Sequence, residues 1–286
     1  MTDVGCVVLT MGNRPDSLAA ALRSVLEQRD VDVDVAVVGN SWEPKGLPEG
    51  VHAVGLPENI GIPAGRNAGV PHVRGGVLLF LDDDAALGDP LFLRHALDLL
   101  DERADIGAIQ PRPVDPVTGE TPRSFVPRLV VGDPERDSDL VALWEGTVVI
   151  RREVFDAVGG WPEIFFYQHE GIELAWRVID AGYRVRYVGS LTTLHDAKAP
   201  GRAPTYYWTQ ARHRVWLARR NLPVPLGAAY VFTWIVLTLL RARSRESLRE
   251  SLRGWRDGFR TPCGERRPIG WRTAWRMTRA GRPPVI

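Results

Sequence analysis

Eight residues, Val77-Leu78-Leu79-Phe80-Leu81-Asp82-Asp83-Asp84, constrain this chain more than any other stretch. Five apolar residues without a polar break read as a strand buried on both faces, the mark of a mostly parallel sheet covered by helices. Three carboxylates at its end repel one another, so the cluster is easiest to keep where a cation neutralises it. Hard oxygen ligands suit Mg²⁺ or Mn²⁺. Open α/β sheets bind ligands beyond the carboxyl ends of their strands, and these acids stand at such an end. The competing reading is a solvated acidic turn closing a core strand.

The chain before this stretch supplies the rest of such a sheet. Val4–Thr10 reads as a first buried strand, 33–38 as a second and 51–56 as a third. Between the first two, Leu18, Leu22, Val25 and Leu26 recur at helical spacing, with Asp16 or Ser17 placed to cap. Asn59-Ile60-Gly61 predicts a tight turn whose N–H groups face a ligand, and Arg66 lies one helical turn beyond. Its fork of donors suits a phosphate, and a helix start favours an anion. The alternative is a glycine-rich loop whose Arg caps a carbonyl. No G-x-G-x-x-G follows the first strand and no G-x-x-x-x-G-K-[ST] occurs, which argues against dinucleotide and P-loop readings.

After the acids, Leu91, Leu93, Ala96, Leu97 and Leu100 predict a helix, and 106–110 a strand. Residues 111–139 are rich in Pro, Arg and Asp without clear period, and read as a long mobile loop of the kind that covers a site. Residues 143–150 return as loop and strand, and a short helix ends at Gly159-Gly160-Trp161. Ile172, Ala175, Trp176 and Ile179 predict a helix ending at Gly182. Glu170 opens it, and Glu173 can pair with Arg177. A carboxylate at a helix N-terminus is held ionised, which suits a general base, although many such acids only start a helix. Residues 184–188 form a further strand, and His195 after it is a candidate metal ligand.

Charge divides the chain. From Arg202 onward there are eighteen arginines, no lysine and four acids, a balance of +14 that leaves −13 for the remainder. Six of the ten tryptophans lie in that part too, and Trp with Arg favours a membrane interface. Residues 206–221 predict an amphipathic helix. Residues 222–240 are free of charge and long enough to span a bilayer, though Pro223, Pro225 and Gly227 fit an interfacial helix equally well. A buried helix or a dimer contact is the alternative. The two cysteines, Cys6 and Cys263, form no disulfide framework and suit a reducing compartment. The first residues show no secretory signal.

In order and spacing, the blocks Thr10 to Asn13-Arg14, Asn59-Ile60-Gly61 to Gly69, Leu81-Asp82-Asp83-Asp84 and Gly159-Gly160-Trp161 to His169-Glu170 resemble family 2 glycosyltransferases. The similarity is to the bacterial branch with rhamnosyl- and galactofuranosyl-transferases. It implies a GT-A fold, α/β with a mostly parallel central sheet, over residues 1–200: a nucleotide-binding half to about 110 and an acceptor half beyond. A helical, basic, Trp-rich extension then runs over 201–286, associated with a membrane.

The same resemblance implies a metal-dependent inverting glycosyltransferase using Mn²⁺ or Mg²⁺. Thr10, Arg14, Asn40, Asn59, Gly61, Arg66, Asp82 and Asp83 would hold a UDP- or dTDP-sugar. Asp84, His195 and Asp82 would hold the metal, and Trp144, Glu145 and Gly146 would lie on the acceptor side. Two departures stand out. Val38-Gly39-Asn40 replaces the family's usual Asp, which leaves base recognition to Asn40. Gly171 replaces the Asp that is usually the catalytic base, which leaves Glu170, with Glu173 and His169 behind it. The implied acceptor is a glycan or a polyprenyl-diphosphate-linked sugar of the cell envelope, met at the inner face of the cell membrane. A homodimer fits, and nucleic acid does not. The alternative is a catalytically weak sugar-nucleotide-binding or scaffolding protein of the same fold.

Overall fold

The computed structural model describes residues 2–197, 204–242 and 244–286. Strands β1 (Val4–Thr10), β2 (Val33–Asn40), β3 (His52–Leu56) and β4 (Val77–Asp82) run parallel in the order β3-β2-β1-β4. Helix α1 (Pro15–Leu26) follows β1, and α2 (Ile62–Gly69) follows β3. The sheet then becomes mixed. The short β5 (Ala85–Leu87), helix α3 (Phe92–Glu102), β6 (Ile106–Val114), β7 (Ser138–Leu140) and β8 (Thr147–Arg151) lead to α4 (Arg152–Val158), α5 (Glu170–Asp180) and the long β9 (Arg184–His195). β8 is inserted antiparallel between β4 and β6, and β9 pairs parallel with β6.

The opening run behaves as its composition requires. Alternate residues face opposite sides of β4, so Leu78 and Phe80 enter one core with α4 and α5, and Leu79 and Leu81 enter the other with α1 and α3. Phe80 meets Phe155 and the edge of Trp161 at ring separations of 5.1 and 5.2 Å. With both faces buried, β4 has a fixed register, and its acids are delivered to one place.

Several local expectations change. Helix α1 is capped by neither Asp16 nor Ser17. Pro15 sets its first turn, and Leu26 is exposed. The segment 111–139 is not one loop: β6 continues through Val114, and β7 pairs with β9. Thr192 to Leu194 continue β9 past an irregularity at Pro111/Arg112, which carries His195 on the strand itself.

The extension consists of α6 (Pro204–Asn221), α7 (Val224–Arg241), α8 (Arg245–Arg260) and α9 (Trp271–Arg279). Ala211, Val215, Trp216, Leu217 and Leu222 join the same core as α5. Some of its arginines bond to groups within the chain rather than being left for an external anion. Arg219 donates to the carbonyls of Gly258 and Thr261, Arg276 to those of Ile179 and Gly182, and Arg212 lies over the rings of Trp208 and Trp216. Helix α7 is different: it is apolar, long enough to cross a membrane, and little covered by the rest of the chain.

Candidate active site

At the carboxyl ends of β1, β2 and β4 lies a cleft of about 410 Å³ bordered by Thr10, Arg14, Asn59, Gly61, the three acids and His195. The acids have different partners. Asp83 accepts a hydrogen bond from Thr10 Oγ1 at 2.6 Å. Asp84 is paired with Arg14 and faces His195 Nε2 at 3.3 Å. Burial raises the Asp84 carboxyl, but its partners His195 and Arg14 outweigh that and hold it below the usual range. Burial lowers the His195 imidazole, and Asp84 and Asp82 more than offset it, so His195 ends above its ordinary value. Asp82, Asp84 and His195 each offer one ligand atom within 4.8 Å of the others. Two hard carboxylates and an imidazole fit Mn²⁺ or Mg²⁺, and Asp83, turned to Thr10, stands outside that trio.

The turn at 59–61 forms as expected, but Asn40 is part of its framework. Asn40 Nδ2 donates to Asn59 Oδ1 at 2.9 Å, and Asn40 Oδ1 accepts from the Ile60 N–H at 2.9 Å. The Gly61 N–H donates to Asn59 Oδ1 at 2.9 Å. Asn40 borders the cleft with its amide already committed, so the expected base contact from it is corrected to a scaffolding role. Gly61 is at φ 88°, where a Cβ would lie 2.6 Å from the Phe166 carbonyl oxygen. That closeness lets Ile62 N–H donate to Phe166 O at 2.7 Å and brings Phe166 and Tyr167 to the cleft mouth.

Arg66 requires the clearest correction. It is 2% exposed and does not border the cleft. One of its nitrogens donates to Asp82 Oδ1 at 2.6 Å and to the Glu145 carbonyl at 3.0 Å, and its guanidinium lies 4.8 Å from the Trp161 ring centre. It stands as the internal counter-charge of the acid end, with its other terminal nitrogen unpaired among the described residues.

Behind Asp82 lies a second acidic group. Glu145 Oε1 accepts from the Gly171 N–H at 2.9 Å, at the start of α5. Glu170 beside it is 3% exposed, with one carboxylate oxygen enclosed and unpaired among the described residues. Burial, then the charge of Glu145, pushes Glu170 up to about 8. Burial also raises Glu145, against the pull of Arg66 and the Gly171 N–H.

The two remaining base candidates, Glu173 and His169, do not border the cleft. Glu173 is fully buried and bound by Arg177, Arg220 and Asn221. His169 is buried against Phe165 and His213, and burial holds it well below its ordinary value.

The acceptor-side residues have a structural logic of their own. Gly146 leaves room for the Trp144 ring, which a Cβ would meet at 2.0 Å, and its carbonyl accepts from the Asp82 N–H at 2.9 Å. Trp144 and Phe125 both set ring edges against His195, at 5.0 and 5.2 Å. Phe125 is an addition the sequence did not single out, since it comes from the aperiodic segment. Phe166, Gln168 and His169 all have positive φ, a run of non-glycine residues in a sparsely populated region beside the cleft.

A family model described as glycosyl transferase family 2 matches residues 6–159. The chain is 25% identical over 250 residues to the O-antigen biosynthesis protein RfbC of Myxococcus xanthus, covering 76% of this chain and 20% of that protein. It thus spans a fifth of that relative's length. Among solved structures, S. aureus TarS 1-349 in complex with UDP-GlcNAc aligns with TM-score 0.65 at 13% identity, over 91% of this chain and 81% of that one. The mannosyltransferase PcManGT from Pyrobaculum calidifontis, in complex with GDP-Man and Mn²⁺, aligns with TM-score 0.57 at 15% identity, over 97% and 72%. These likenesses show the GT-A fold.

Proposed function

The chain belongs to glycosyl transferase family 2, and from that premise we propose that it is a metal-dependent, inverting transferase acting on a lipid-linked or glycan acceptor. That it is a glycosyltransferase using a nucleotide-sugar follows from the family itself. The observation that carries the finer reading is the trio Asp82, Asp84 and His195 at one corner of the cleft, facing the Gly61 turn. The structural relative holding GDP-Man and Mn²⁺ supports it.

The trio would hold Mn²⁺ or Mg²⁺. A bound divalent ion supplies Lewis acidity to the departing diphosphate. The chain's own residues do the remainder. Arg14, half-exposed and paired with Asp84 at the cleft, would contribute a cation for the diphosphate. Thr10 fixes Asp83, and Asn40 with Asn59 hold the turn that shapes the cleft floor. Burial raises the Asp82 carboxyl, and Arg66 opposes that from behind. Phe166 and Tyr167, each about half exposed, flank the mouth.

The acceptor side of this reading is a membrane. Helix α7 leaves Phe232, Leu239 and Leu240 exposed, α8 adds Leu252 next to Arg253 and Phe259 next to Arg260, and α9 adds Trp271 and Trp275. Apolar and aromatic residues next to exposed arginines suit an anionic leaflet, with the protein peripheral on the cytoplasmic face and its product entering the cell envelope.

The test is a panel of UDP-, GDP- and dTDP-sugars with Mn²⁺, a polyprenyl-diphosphate-linked monosaccharide as acceptor, and released nucleoside diphosphate as the readout. Turnover with a UDP- or dTDP-sugar that needs both metal and acceptor is the expected result. Metal-dependent nucleotide binding with no turnover would replace this reading by a binding role. Flotation with anionic vesicles, set against neutral ones, tests the membrane claim.

A further inference from the structure

Transfer to a hydroxyl needs a group that takes the hydroxyl proton. Glu173 is fully neutralised by its partners, and Glu170 is sealed in with an unpaired oxygen. Glu145 differs from both. It is only half-buried, and its loop is held against the acid end of β4 by the Gly146–Asp82 backbone hydrogen bond. The same Arg66 nitrogen bonds the Glu145 carbonyl and the Asp82 carboxylate, so Glu145 adjoins an acid that borders the cleft.

The position of its carboxylate is built in. A Cβ on residue 171 would lie 2.5 Å from Glu145 Oε1 and 2.7 Å from Glu145 Cδ. Gly171, the second residue of α5, has no side chain, and the Glu145 carboxylate occupies the volume from which one would begin. The backbone N–H it accepts from belongs to the first turn of α5, whose dipole favours a negative charge.

We propose that Glu145 is the general base of the reaction, seated by Gly171, and that Glu170 is a positioning residue beside it. This rests on the transfer reading above. In the step, the acceptor oxygen forms a bond to the anomeric carbon as the bond from that carbon to the diphosphate oxygen breaks. The bonding pair leaves on the diphosphate, and the hydroxyl proton goes to the Glu145 carboxylate. Glu170, the more deeply enclosed of the two, holds the proton that a close pair of carboxylates retains.

The test compares Glu145→Gln, Glu170→Gln and the exchange Glu145→Gly with Gly171→Asp, which moves a carboxylate to the other side of the same gap. Each is assayed with the sugar-nucleotide panel, Mn²⁺ and the polyprenyl-diphosphate-linked monosaccharide. UDP affinity in Mn²⁺, read by calorimetry, reports the folded donor site. Glu145→Gln should lower kcat at least about 100-fold with UDP affinity within about threefold, as loss of a general base does. Glu170→Gln should lower it less than about tenfold. The exchange should regain at least about tenfold over Glu145→Gln, and neither a structural role nor misfolding predicts that recovery.

Glu145→Gln retaining more than a tenth of wild-type kcat overturns the proposal and leaves the transfer reading intact. Loss in Glu170→Gln equal to that in Glu145→Gln, with no recovery in the exchange, moves the base to Glu170. Wild-type protein that binds UDP and turns over no donor overturns the transfer reading, and the base with it.

Discussion

Glu170 and Glu173 stand one turn apart on α5, both almost without exposure, in opposite electrostatic company. Glu173 meets Arg220 at 2.7 Å, Asn221 at 2.6 Å and the Arg177 guanidinium. Every one of its demands is met, and it ties α5 to the extension through α6. Glu170 has an enclosed oxygen with no partner among the described residues, a second acid beside it, and Arg66 as an attractive charge. The contrast separates structure from chemistry: a buried acid whose charge is fully matched holds elements together, and one left partly unmatched marks a place built for something other than stability.

The largest expected effect tests the structural side. Glu173→Ala leaves the buried Arg220 without its counter-charge, and breaking such a pair costs about 3–5 kcal/mol. Denaturant unfolding should show that loss, and Glu173→Ala within about 1 kcal/mol of wild type would remove the knot from the argument. Asp84→Asn tests the chemical side. It should lower metal-dependent turnover about 100-fold or more, from the few kcal/mol a Lewis acid supplies, while stability moves by less than about 1 kcal/mol. A variant that keeps the wild-type response to Mn²⁺ would place the ion elsewhere. Gly171→Ala lies between the two. The added Cβ meets the far end of the Glu145 side chain, so the carboxylate is pushed aside and the cost falls on turnover, about tenfold or more, rather than on folding. A fully active Gly171→Ala would mean that turnover does not depend on where the carboxylate sits.

What the sequence discloses follows from how local each signal is. The β4 run was legible because burial on both faces leaves an unbroken apolar string, and its acids mark the strand end. The turn at 59–61 was legible because glycine at positive φ is a local need. The partners of the charges were not. Arg66 reads as a phosphate ligand until Asp82 is seen bonded to it, and the arginines of the extension read together as membrane-interface cations until Arg220 is seen to reach Glu173, forty-seven residues away. Pairing across such distances leaves no period in the chain. Gly171 is the sharpest case. As sequence it is an acid gone missing, and in three dimensions it is the space that another acid fills.

The smallest effect is a difference in pH dependence. The Glu170 carboxyl is raised from 4.5 to about 8 in the folded protein. Folding therefore favours its protonated form. The associated stability is fully present below about 4.5 and is lost as pH rises through 8. Gln at 170 cannot ionise and escapes that loss, while the other titrating groups are common to both proteins and largely cancel in the comparison. Glu170→Gln should melt close to wild type at pH 4.5 and at least about 2 °C above it at pH 9, given the usual shift per kcal/mol for a chain of this size. A gap that stays constant from pH 4.5 to 9 would show Glu170 ionising normally, in a site with more water or more positive charge around it than Arg66 alone provides. The contrast with Glu173 would then rest on packing rather than on unmatched charge.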